Sequence, residues 1–195
     1  METREIALIS VFAALWMVSE SLLGPVVGRL SLGPFTLHGV VNRVVGWMLM
    51  LVLAKATGHF GRVTVMTLVA SMATRLIRAS PLEAIVVGLG YALGGLLFDV
   101  IAFLPGLRNL EGRAGAAHVL GASFASGLVA SAPYLLLKLF LLGPLGFLAA
   151  SLVYSYSTVK GVAFSLLGTS LGFPLLPRVL PLYHRGEPTA RRLRA

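Results

Sequence analysis

The chain has 195 residues, of which 57% are hydrophobic and 12% charged, with no cysteine and a formal net charge of +9. The missing cysteines exclude disulfide frameworks, thiolate metal sites and cysteine nucleophiles, and apolar runs along almost the whole length leave no room for a soluble domain. The positive excess would suggest nucleic acid in a soluble protein, but Arg185, Arg191, Arg192 and Arg194 crowd the tail after the last apolar run, where they read as a cytoplasmic, lipid-facing end.

A helical crossing needs about 20 residues, so the sequence predicts an all-α bundle of six transmembrane helices filling 1–177, with a basic cytoplasmic tail over 178–195. The first span, 6–23, stops at Gly24 and Pro25; no small-residue cleavage pattern follows it, so it reads as a retained helix, not a signal peptide. A Gly, Arg and Pro loop leads to the second span, 35–53, and a short polar turn (55–62) to the third, 63–77. The fourth, 82–104, ends at Pro105 and Gly106. The fifth, 116–142, contains Pro133, where a kink is expected. Gly143 and Pro144 turn the chain into the sixth, 145–173.

Loop charges set the expected orientation. With the N-terminus inside, cytoplasmic segments hold Arg4, Lys55, Arg62, Arg108, Arg113, Arg178 and the four tail arginines, against Arg29, Arg75 and Arg78 outside. Both termini are therefore expected in the cytoplasm of a multi-pass cell-membrane protein. That topology puts Trp16 and Glu20, His38, Asn42 and Arg43, Arg75 and Arg78, Glu83, and Tyr134 with Lys138 in the outer half of their helices. Tyr154 to Thr158 form a polar belt in the sixth, with Tyr156 within it and Lys160 near mid-depth. A charge in a bilayer core costs about 2.5–3.5 kcal/mol even on insertion scales, so such residues normally face a bundle interior and carry a function. A cavity open to the outside is the expectation, although Arg78 and Lys138 equally suit snorkelling to the interface.

Small residues four apart, such as Gly90 and Gly94, or Ser157, Gly161 and Ser165, mark stripes for close helix approach. The Gly88, Gly90, Gly94 run lies inside an apolar span with one interval too long, so it is no dinucleotide fingerprint. The four histidines are scattered and no metal site is expected. No serine sits in a nucleophile elbow, so no enzyme is expected either. Asp99, away from the outer polar set, suits capping of a neighbouring helix or pairing with Arg108 or Arg113.

The six spans, the length and the opening residues 4–15, REIALISVFAAL, together resemble the substrate-binding S component of energy-coupling factor transporters. In that family small residues four apart on the first helix dock on the transmembrane coupling subunit; Ser10 and Ala14 match that spacing, with Ala7 and Ala13 nearby. The resemblance implies capture of a vitamin or similar micronutrient from outside, with a coupling subunit and two ATPases as partners; this chain has no ATP-binding loop of its own. No cofactor is expected, and the metal-specific branch is disfavoured because its N-terminal histidine arrangement is missing. The cationic surplus in the outer half favours an anionic group on the substrate, while Trp16, Trp47, Tyr91, Tyr134, Tyr154 and Tyr156 offer flat walls for a ring. Glu83 beside such a wall would equally suit an aminopyrimidine. Two other classes compete: a self-sufficient secondary transporter, which would show an inverted repeat and mid-membrane acids, and a ligand-free membrane scaffold.

Overall fold

The computed structural model describes residues 1–29, 31–32, 35–37, 39–75, 81–104 and 112–184. It is an all-α membrane bundle, with α1 Thr3–Gly28, α2 Val40–Thr57, α3 Arg62–Arg75, α4 Pro81–Ala102, α5 Gly112–Val129, α6 Ala132–Ala149, α7 Ser151–Gly172 and α8 Leu176–His184. A minimal antiparallel hairpin, β1 Ser31–Leu32 with β2 Phe35–Thr36, precedes α2, and a single 3-10 turn, Phe173–Leu175, joins α7 to α8. Among the described residues five segments are long and apolar enough to cross a membrane, with α5 and α6 forming one of them; this is a multi-pass membrane protein. In such a solvent the exposed leucines and phenylalanines, Phe140, Leu145 and Leu152 among them, are the lipid-facing surface.

Element boundaries depart from the sequence reading at four places. The first helix does not stop at Gly24 and Pro25 but carries Pro25 inside it to Gly28. The second begins at Val40, not at residue 35, because Phe35 and Thr36 pair with Leu32 and Ser31 and Gly39 then turns the chain with φ 79°. The expected single fifth span is two helices: α5 ends at Val129 and α6 restarts at Ala132, with Pro133 in its first turn, where a missing N–H costs no intrahelical bond. The turn expected at Gly143 is a kink within α6, where Gly143 takes φ 69° and ψ 171°.

The α2 helix is central. Trp47, Met50, Leu51 and Leu53 on it are fully buried, among Phe98 of α4 and Met66 of α3. Glycines set the close crossings: a Cβ at Gly168 would strike the Val44 backbone, and one at Gly90 the Ala130 carbonyl. Between α5 and α7 the contact is polar, with Ser123 Oγ 2.6 Å from Thr169 Oγ1 and donating to the Ser165 carbonyl at 3.2 Å.

Ion pairs tie the bundle at both ends. At one end Glu5, buried on α1, accepts from Arg62 Nη2 and from His59 Nδ1, each at 2.8 Å. One turn beyond, Asp99 of α4 caps α3: its Oδ2 accepts from the Thr64 N–H at 2.7 Å and the Thr64 hydroxyl at 2.6 Å. Of the roles the sequence left open for Asp99, the capping one is what the geometry holds. At the opposite end Glu20 meets Arg75, so α1 and α3 run parallel, pinned about four helical turns apart.

Candidate binding site

The sequence puts one or two polar residues in the Glu20 end of each long helix, and the packing turns those ends toward a common space. Glu20 with Gly24 and Pro25 comes from α1, Asn42 and Arg43 from the first turn of α2, and Arg75 from the last turn of α3. Glu83, Val87 and Tyr91 repeat at helical spacing along α4. Ala130 and Ser131 at the α5–α6 break, Tyr134 of α6, and Ser157, Thr158, Lys160, Gly161 and Phe164 of α7 close the far side. The result is a cavity of about 670 Å³, within the range of small-molecule sites.

Tyr91 is the floor. Its ring meets Trp16 and Trp47 edge-on, each with centroids 5.9 Å apart. The Arg43 guanidinium lies 5.2 Å and that of Arg75 5.7 Å from its centroid. Trp16 itself is buried beneath, its indole N–H donating to the Asn42 side-chain oxygen, and its ring fills the space that a side chain on Gly46 would need. Trp47 donates to Ser126 Oγ at 2.8 Å. Each indole thus has a partner for its one polar atom, which makes the aromatic floor affordable in an apolar interior.

Charge is arranged on that floor with care for compensation. Glu20 Oε1 and Arg75 Nη2 stand 3.0 Å apart with both side chains buried. At the rim Lys138 Nζ donates to Glu83 Oε1 at 2.6 Å and lies 5.3 Å from the Tyr134 ring. Arg43 donates to the Gly127 carbonyl at 2.9 Å and to Ser131 Oγ at 3.0 Å, and sits over Trp47 at 4.9 Å. Lys160 lies 5.6 Å from the Tyr156 ring.

Eight of the fourteen residues singled out from the sequence line the cavity: Glu20, Asn42, Arg43, Arg75, Glu83, Tyr91, Tyr134 and Lys160. Trp16 supports it from below, and Lys138 reaches it through Glu83. Tyr154 is stacked on Phe147 at 5.0 Å, and Tyr156 is exposed on α7 one turn from Lys160; neither lines the cavity. His38 and Arg78 lie outside the described residues. Sequence reading missed Ser131, although Pro133 in a helix's first turn marks a helix start and so puts a serine at its cap. It also missed Glu5, whose ion-pair partners are more than fifty residues away in the chain. Ala7, Ser10 and Ala14 are exposed together on α1, on the side away from Ile9, Phe12, Ala13 and Trp16. No group of three metal-ligating side chains occurs among the described residues.

Comparison with known proteins finds no family model, no curated sequence and no solved structure that match this chain.

Proposed function

We propose that the chain is a membrane-embedded solute-binding subunit of the energy-coupling factor type, which captures a vitamin-like micronutrient in the cavity at the Glu20 end and hands it on with a coupling subunit and two ATPases. One observation carries the reading: six helices each deliver polar or aromatic side chains to one cavity at the Glu20 end of the bundle, while Glu5 and Asp99 tie α1 and α4 to α3 at the opposite end. A cavity at one end suits capture, and among the described residues no chain of ionisable groups at mid-depth supports a self-driven proton or cation cycle. Loop charge orients the cavity outward, with both termini in the cytoplasm. The exposed Ala7, Ser10 and Ala14 give a coupling subunit a surface on which helices approach closely.

The test is mass spectrometry of small molecules released by denaturing the detergent-purified protein. A stoichiometric vitamin-like compound supports the reading and names the solute. A protein empty of solute after growth with a full vitamin supply overturns it.

A further inference from the structure

We propose that Arg43 is the anchor of the cavity and takes the carboxylate or phosphate group of a small organic solute. This rests on the solute-binding reading above and adds the class of ligand and the residue that selects it.

The charges around the cavity are not equivalent. Both of its carboxylates are committed to ion pairs, Glu20 to Arg75 at 3.0 Å and Glu83 to Lys138 at 2.6 Å. Arg43 is only 8% exposed and has no carboxylate partner among the described residues. Its contacts are neutral: the Gly127 carbonyl, the Ser131 hydroxyl, and the rings of Trp47 and Tyr91. They orient the guanidinium and lower the cost of burying it, but they leave its full positive charge in place. A guanidinium carries five N–H donors in a planar fork, and the two bonds to Gly127 and Ser131 leave the others for an oxyanion, which that fork matches in shape.

The surroundings hold the fork still. Gly161 of α7 passes so close that a Cβ there would stand 3.3 Å from the Arg43 Cζ and Nη2 atoms. The same wall contributes Lys160, which adds positive potential. Placing an anion here supplies the counter-charge that the described residues leave out. A guanidinium serving only as a clamp between α2 and α5 would gain nothing from a dissolved anion, and that difference is measurable.

The experiment follows thermal unfolding of the full chain in nanodiscs, washed free of co-purified solute, while inorganic phosphate or acetate is titrated at constant ionic strength against chloride. Saturable stabilisation by phosphate, by acetate or by both is expected, and the stronger of the two names the anionic group. Arg43→Gln should abolish that response. Arg43→Lys, which keeps the charge and loses the fork, should raise the half-saturating concentration at least tenfold, and it decides the matter should the Gln variant not fold. A wild-type response no greater than that to chloride overturns the proposal, as does an unaltered response in the Arg43 variants. Recovery of a neutral or cationic solute from the purified protein would overturn the anion assignment while leaving solute binding intact; an empty protein with no anion response would overturn both.

Discussion

Glu20 of α1 and Arg75 of α3 form a buried ion pair directly beside the cavity floor, and the same guanidinium lies against the Tyr91 ring. The pair therefore links the position of two helices to the shape of the site. Removing one partner leaves the other charged and buried, which costs about 3–5 kcal/mol. Glu20→Gln should lower the thermal unfolding midpoint sharply, and adding Arg75→Met to it should recover much of the loss. A double variant as unstable as the sum of its parts would show that the two residues act separately.

The rim pair should behave differently. Lys138 and Glu83 are closer, at 2.6 Å, but Glu83 is 47% exposed. Exposed pairs contribute about 0.2–1 kcal/mol because water screens the attraction and two long side chains must be held. Lys138→Ala should therefore shift the unfolding midpoint far less than Glu20→Gln does, despite the shorter distance. Equal shifts would refute this ordering.

Trp16 and Gly46 test the packing under the floor. A methyl on Gly46 has no space except that of the indole ring. Gly46→Ala should displace Trp16, break its bond to Asn42, and cost about 1–3 kcal/mol as overpacking does. Tryptophan emission, in a Trp47→Phe background, should move as the indole changes surroundings. An unchanged spectrum would show that α1 and α2 part without disturbing the ring.

How far the sequence carried the reading depends on what each residue can signal by itself. A long apolar run is a local property, so most helices are legible; strand pairing is not, which is why Phe35 and Thr36 read as helix. Proline in a first turn and proline inside a helix look alike within an apolar stretch, so α5 and α6 read as one span with a kink. Charges in apolar runs are rare enough to stand out, and a shared depth brought Glu20, Arg43 and Arg75 into one list. Which of them neutralise one another is a matter of helix rotation, absent from spacing alone. Tyr156 fell on the exposed side of α7 for the same reason, and Glu5, an acid in the first turn of α1, carries no sign in the sequence of the ion pairs it makes.

Asp99 is fully buried yet sits well below the cavity, where its carboxylate bonds the first turn of α3. Asp99→Ala should destabilise the fold by about 0.5–2 kcal/mol, the value of a helix cap, and leave solute affinity unaltered in the folded protein. Asp99→Asn keeps an acceptor oxygen for Thr64 and should fall between the two. A change in affinity without loss of stability would tie Asp99 to the proposed solute site instead.

The exposed face of α1 tests the proposed partner. Ser10 and Ala14 point away from the bundle, so leucine there meets no neighbour among the described residues and, being a good helix former, should change stability by no more than about 0.5 kcal/mol. Solute binding should likewise be unchanged, because the cavity takes its α1 wall from Glu20, Gly24 and Pro25. Contact with a coupling subunit is another matter: small residues let two helix backbones come close, and two leucines on that stripe hold them apart. The Ser10→Leu, Ala14→Leu double variant should therefore lose co-purification with the coupling subunit while keeping its solute. Undiminished association would place the docking surface elsewhere on the bundle.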